Sequence, residues 1–483
     1  MSVQHSSASV GRSAFWSIAN QMAGQILVLL VFLVTARFVD KEAFGVMATA
    51  LIIVELFKQV FLESVGVTFY ARKNPTNEDY NTGFFIIFLG GLGSAILIYA
   101  LASPLSAFLD LEMLEKTLHW IAILLFAIGL FKMHEIWLIK NQQFKPLAIR
   151  SIVSISIGGA IGIAMAVNGY DIEALVAQQL ITALITTIWL WFVTPWKPSF
   201  KFNKSEATHI LKYVGQVSLS KLAGFANGQS DIFFTAYYLG AATTGIYNAA
   251  KRLVMAVIMI VGAGIGNVVF PTLTDFSNDD KQLGKAYLKS ITLITFFTAP
   301  IFAGMAAIPD HLINLLLGEK WMSAVPAFAI LCAFGFVRIL EGINSNILYI
   351  KGKPNWQTGI IVFTGVINVI ILVAFAPYGL IPLVMALTIS RMLLFPIMLT
   401  FALRMLSIHY TDFIHAIYAP LCAACIMFFG VAAVDFYWQP SVLYGLLILM
   451  PLGVCIYALM AYIFDRQLIK EIMSYMQMLK VKS

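Results

Sequence analysis

The chain is a succession of apolar runs, each long enough to cross a lipid bilayer, joined by short polar connections. A helical crossing needs roughly 20 residues, and a helix satisfies its own backbone N–H and C=O groups where no water can. The runs predict about fourteen helices. They lie near residues 14–38, 44–70, 82–103, 117–139, 147–168, 173–194, 210–239, 246–270, 288–308, 322–350, 357–376, 380–403, 412–435 and 441–464. The fold class expected is an all-α membrane protein. Only 11% of the 483 residues are charged, against about 25% in soluble domains, which excludes a soluble protein.

The net charge of +7 suits basic cytoplasmic loops rather than nucleic-acid binding. One set of loops holds Arg72, Lys73, Lys140, Lys145, Lys197, Lys201, Lys204, Lys281, Lys285, Lys351, Lys353 and Arg404. The opposite set is poor in Lys and Arg and carries Asp40, Glu42, Asp110, Glu112, Glu115, Asp171, Glu173, Asp310, Glu319 and Asp435. This bias predicts cytoplasmic termini. The polar opening MSVQHSSASVGRS leads into an apolar run too long for a signal peptide, so a retained first helix is expected. The four cysteines fall in apolar runs, and Cys422 and Cys425 are read as small packing residues rather than a redox pair.

The basic connection TPWKPSFKFNKSEATHILK, 194–212, divides the chain. It separates an N-terminal lobe, 1–195, from a linker, 196–209, and a C-terminal lobe, 210–403. Two further helices occupy 404–464, and an amphipathic cytoplasmic tail 465–483. Asn203 and Glu206 are spaced as a capping box. Asn278 is the expected N-cap of a short helix leading into the ninth span. In the tail, Leu468, Ile469, Ile472, Met473, Met476 and Leu479 recur at helical spacing between lysines, the pattern of an interfacial helix. Shifting residues 11–70 by 200 superposes Ala23-Gly24 on Ala223-Gly224, Thr35-Ala36 on Thr235-Ala236, Gly45 on Gly245 and Gly66 on Gly266. The expectation is two pseudo-symmetric lobes related as parallel repeats. Trp120, Tyr170, Trp196 and Trp321, near span ends, read as interface anchors.

The stretch from Lys212 to Pro271 covers two crossings, and its first is unusually polar. Gln216, Ser218, Ser220, Lys221, Asn227, Gln229, Ser230 and Asp231 would not be tolerated against lipid, where a charge at the bilayer centre costs at least ~2.5–3.5 kcal/mol. Other ionisable residues within spans are Glu55, Lys58, Glu63, Lys132, His134, Glu135, Arg150, Lys251, Arg252, Arg338, Glu341 and Arg391. Glu55–Lys58 and Arg338–Glu341 can pair at i,i+3. By depth, Lys58, Lys221, Arg338 and Arg391 fall nearest mid-membrane and are the expected binding residues, whereas Lys251 and Arg252 lie nearer the outer face, where either would receive the bound group on its outward path. A surplus of cations at mid-depth favours an anionic group such as pyrophosphate. Glu55, Glu63, Asp231 and Glu341 would pair these cations or couple to ions. Gln216, Ser220, Asn227 and Gln229 would line a hydrated cavity. The glycines of GAGIG, 262–266, suit close helix packing. His134-Glu135 lacks the second histidine of a zinc helix, and there is no Walker A sequence or nucleophile–base arrangement.

Three runs carry a family resemblance: ARFVDKEAFGVMATA (36–50), LGAATTGIYNAAKRL (239–253) and VVFPTLTDF (268–276). They resemble Wzx-type polysaccharide flippases of the multidrug/oligosaccharidyl-lipid/polysaccharide (MOP) superfamily, the colanic-acid-type branch above all. The resemblance implies two MATE-like lobes around a central cavity that alternates between leaflets. It implies passage of an undecaprenyl-pyrophosphate-linked oligosaccharide to the periplasmic leaflet of a bacterial inner membrane. No enzyme activity, cofactor or metal is implied; a proton or sodium gradient is the expected drive. Membrane lipids and the polymerase and export machinery of a polysaccharide pathway are the expected partners of a monomer. The alternatives are a small-molecule or drug exporter of the same fold and a membrane-embedded glycosyltransferase or ligase. The last would need large outer loops, and those here are short.

Overall fold

The computed structural model describes residues 23–466, apart from the side chains of 263–268. The amphipathic helix expected at 465–483 and residues 14–22 of the first span lie essentially outside the described residues. Every regular element among the described residues is helical. In chain order these are α1 (Ala23–Thr35), α2 (Lys41–Phe57), α3 (Glu63–Ala71), α4 (Asn77–Leu109), α5 (Glu112–Lys140), α6 (Phe144–Val167), α7 (Ile172–Val193) and α8 (Lys204–Asp275). There follow α9 (Asp280–Ala307), α10 (Pro309–Leu317), α11 (Val325–Ile350), α12 (Pro354–Phe375), α13 (Leu380–Leu406), α14 (Tyr410–Trp438) and α15 (Val442–Phe464).

Twelve of the described helical stretches are long and apolar enough to span a membrane, with α2 and α3 forming one of them. Counting α8 as two crossings and adding α1 recovers the fourteen expected. The chain is a multi-pass membrane protein.

The connection expected between the seventh and eighth spans is far shorter than its sequence suggested. Helix runs to residue 239 and resumes at 241, and Gly240 alone leaves helical geometry, at φ 76° and ψ 179°. Positive φ with extended ψ is a conformation essentially confined to glycine. The chain folds back there. Tyr247 donates its hydroxyl to Asp231, although sixteen residues of unbroken helix would separate them by roughly 24 Å.

The caps differ from expectation in detail. Asn203 does cap α8, accepting from the Glu206 N–H at 3.1 Å. The Glu206 carboxylate does not complete a box; Arg72 takes it instead. The N-cap of α9 is Asp279, one residue beyond Asn278, accepting from the Lys281 and Gln282 N–H groups at 3.0 Å each. From there α9 continues unbroken to Ala307, so the short preceding helix merges with the span. A true capping box opens α4, where Thr76 and Asp79 exchange backbone-to-side-chain bonds of 2.7 and 3.2 Å.

The chain packs as two compact units, Met1–Ala249 with Ile361–Leu380, and Ala250–Ile360 with Ile381–Ser483. These units and the lobes expected at 1–195 and 210–403 cut the chain at different places. In the first unit, glycines bring helices close. A Cβ on Gly91 of α4 would lie 2.6 Å from the Leu125 carbonyl of α5, and one on Gly158 of α6 would lie 2.1 Å from Thr182 Oγ1 of α7. Small residues serve this purpose where lipid offers no hydrophobic drive for association.

The second unit is centred on α9, α14 and α15, with Ala299, Ala423, Met427, Leu449 and Tyr457 in its core. Tyr457 donates to the Phe296 carbonyl at 2.7 Å. Trp120 and Tyr170 are exposed, as interface anchors should be, but Trp196 and Trp321 are buried. Trp196 sits among Tyr80, Phe84 and His134, a packing role rather than an interfacial one. The four cysteines are free thiols.

Candidate anion-binding site

In the first unit the charges gather on an irregular turn. Between α2 and α3 the backbone passes through one π-helical segment, Lys58–Leu62. Such i→i+5 turns are rare and recur at functional sites. Here the Val60 carbonyl accepts from Ser64 Oγ at 2.8 Å and from Ser218 Oγ of α8 at 2.7 Å. Ser218 thereby fastens the first arm of α8 to the turn, and Lys221 lies three residues further along the same helix.

Around that anchor, Lys58 Nζ lies 2.9 Å from Glu55 and 3.9 Å from Glu63, and Lys221 Nζ lies 3.9 Å from the other oxygen of Glu63. Gln59 donates to Glu55 at 2.8 Å. Both lysines keep about a third of their side-chain surface exposed, 32% and 36%, so they are held loosely enough to meet a ligand.

In the second unit one carboxylate serves two guanidinium groups. Arg391 of α13 places Nε 3.0 and 2.9 Å from the two oxygens of Glu341, and its Nη2 2.9 Å from one of them. Arg338 reaches Glu341 from one turn away on α11, at 3.3 Å. Arg391 is nearly buried and lies over the Phe334 ring, 4.9 Å from its centroid. Arg338 is 46% exposed at the middle of a 26-residue helix. An exposed guanidinium at that depth requires water or an anion beside it, not lipid.

A similar arrangement in the first unit joins α5 and α6. Lys132 and Arg150 share Glu135 at 3.4 and 3.8 Å. The sequence placed these residues inside spans without assigning them to the site.

The remaining expected site residues are distributed as follows. Gln216 and Ser220 are exposed on the first arm of α8, and Gln229 is half-buried there. Asn227 is tied to α12, donating to Thr364 Oγ1 at 3.1 Å and accepting from Asn368 at 2.7 Å. Asp231 receives the Tyr247 hydroxyl across the Gly240 bend. Lys251 and Arg252 are half-buried on the second arm of α8, in the second unit. Thus Lys58, Lys221, Glu55 and Glu63 come together in one unit, and Arg338, Arg391 and Glu341 in the other. Sequence reading missed Ser218 as an anchor, and Tyr247 and Asn368 as polar partners. Asn368 had a visible signal, being an amide within the apolar run 357–376.

A family profile described as "Polysaccharide biosynthesis protein" matches residues 34–326. The succinoglycan biosynthesis transport protein ExoT of Rhizobium meliloti (strain 1021) is 24% identical over 344 residues, covering 71% of this chain and 69% of its own. The lipopolysaccharide biosynthesis protein WzxC of Escherichia coli (strain K12) is 21% identical over 341 residues, covering 67% of this chain and 66% of its own. Among solved structures, the lipid II flippase MurJ in an inward closed conformation superposes with a TM-score of 0.77 at 18% identity, covering 94% of this chain and 100% of its own. That last likeness establishes the fold.

Proposed function

The chain belongs to the polysaccharide biosynthesis protein family, and on that premise we propose that it carries a lipid-linked oligosaccharide, anchored through undecaprenyl pyrophosphate, from the cytoplasmic to the periplasmic leaflet of a bacterial inner membrane. The names of its relatives support a transport role in surface-polysaccharide synthesis. The observation that carries the anionic cargo is the sharing of Glu341 by Arg338 and Arg391. Two guanidinium groups on one carboxylate leave a positive charge at mid-helix, and arginine binds phosphate oxygens in pairs. In the first unit, Lys58 and Lys221 offer point charges to an anionic group. Alternating access moves the cargo, and a proton or sodium gradient drives the cycle. No bond is made or broken, so the protein acts as a carrier rather than an enzyme, with both termini in the cytoplasm.

The test is genetic and chemical together. Lys221→Ala and Arg338→Ala should each abolish polymer at the cell surface while the protein still inserts, with lipid-linked repeat units accumulating in the cytoplasmic leaflet. Normal polymer in both variants overturns the anion site. Drug efflux without polymer loss would instead assign the chain to small-molecule export.

A further inference from the structure

A second cluster lies outside the charge groups described above, where α9 turns into α10 and α14 ends. Asp310, His311 and Asp435 each offer one ligand atom, and the three atoms lie within 4.8 Å of one another. His311 Nε2 is 2.8 Å from Asp435 Oδ1 and 4.0 Å from Asp310 Oδ2. The imidazole is 4% exposed, and its Nδ1 meets no hydrogen-bond partner. The ring occupies a seat that α15 leaves open for it: a Cβ on Gly445 would fall 2.6 Å from Cε1. Asp310, by contrast, keeps 42% of its side chain exposed, which gives an ion a way in and leaves room for a water ligand.

Charge argues in the same direction. Among the described residues the ion pairs of Asp310 and Asp435 run only to His311, not to a lysine or arginine. Two carboxylates with one imidazole keep a net negative charge in either protonation state of the ring. A metal held at about 2.0–2.2 Å by nitrogen and oxygen ligands in a tetrahedral shell sets those ligands roughly 3.3–3.6 Å apart. The observed 2.8 and 4.0 Å bracket that spacing and all three atoms lie within 4.8 Å, so side-chain shifts of about 1 Å or less bring the three into a shell whose fourth position falls to water. Calcium and magnesium favour all-oxygen ligation, whereas imidazole suits zinc and its neighbours. We propose that Asp310, His311 and Asp435 bind a divalent transition-metal ion of the Zn2+ class. The ion clips the short helix α10 to the end of α14.

The test uses the full chain in detergent, without a polyhistidine tag, stripped with chelator and titrated with Zn2+. About one equivalent should bind and raise the unfolding temperature. His311→Gln should abolish this binding. Because His311 also seats α10 against α15, Asp310→Asn is the decisive variant: it leaves the His311–Asp435 contact in place. It should weaken Zn2+ binding by about ten- to hundredfold, the range over which even second-shell changes act. Its unfolding temperature without metal should match the wild type. Zn2+ binding no tighter in wild type than in Asp310→Asn overturns the proposal and leaves a hydrogen-bonded His–Asp staple.

Discussion

Gly45 and Gly245 hold each other's helices in reciprocal contact. A Cβ on Gly45 would sit 1.8 Å from the Ala241 carbonyl oxygen, and a Cβ on Gly245 would sit 1.9 Å from the Lys41 carbonyl oxygen. Positions 41 and 45 map onto 241 and 245 under the shift of 200 that aligns the repeats. An exchange in which each copy offers the same patch to the other is the signature of a local two-fold relation. The echo continues upstream. Thr35 Oγ1 donates to the Val31 carbonyl at 2.8 Å, and Thr235 Oγ1 to the Asp231 carbonyl at 2.6 Å.

This crossing predicts that Gly45→Ala and Gly245→Ala each destabilise the protein, on the scale of ~1–3 kcal/mol for an overpacked interior. Gly224→Ala, with open space around its Cβ, is the control and should be neutral. Thermal unfolding in detergent separates them. Equal stability for Gly45→Ala and Gly224→Ala would contradict the crossing.

Breaking the Glu341 group should be costly. Glu341→Gln leaves two guanidinium groups with a neutral partner, and removing one member of a buried ion pair costs about 3–5 kcal/mol. Arg391→Lys should lose part of that, because an ammonium cannot span both carboxylate oxygens. Arg338→Gln, at the exposed end, should leave stability nearly unchanged while impairing export. Fluorescence-detected gel filtration after heating, paired with surface-polymer staining, would read both effects.

The Asp231–Tyr247 bond closes the α8 bend. Tyr247→Phe removes a donor to a carboxylate, a bond of about 1.5–3 kcal/mol. Hydrogen exchange on either side of Gly240 should rise in this variant, and unchanged protection would show that the glycine turn alone sets the bend.

A pH effect follows at the α9 cap. The Gln282 and Lys281 N–H groups hold the Asp279 carboxyl below its ordinary value. A depressed carboxylate stabilises the fold above its unfolded pKa, roughly 3.9, and that support is lost as pH falls through the folded value. Asp279→Ala should therefore increase hydrogen exchange at residues 281–283 near neutral pH. The difference from wild type should shrink below the carboxylate range; a constant difference would refute the charged cap.

The spans were legible because bilayer thickness is written directly into run length, and the short-range pairs Glu55–Lys58 and Arg338–Glu341 because helical spacing makes them neighbours. Arg391 with Glu341, fifty positions apart, was not legible as a pair, since no local period links α11 to α13. The nine residues of α10 are too few to register as a run beside a spanning helix. Trp196 and Trp321 misled because position near a span end says nothing about which side of the helix meets protein. The Lys58–Leu62 turn has no compositional mark at all; it is defined by a hydrogen-bond pattern.

That turn holds one residue more than a regular helix of the same height would contain. Each residue of an α-helix rotates its successor by about 100°, so excising any one codon from 58–62 would straighten the backbone while twisting everything upstream against everything downstream. With any of residues 59–62 removed, Gly45, Glu55 and Lys58 would keep their mutual phase, while Glu63 would rotate away from Lys58 and Lys221. The surplus residue acts as a phase adjuster between the stretch that carries Gly45 and Lys58 and the one that presents Glu63, and a lineage that lost it would have to surrender the carboxylate the two lysines share.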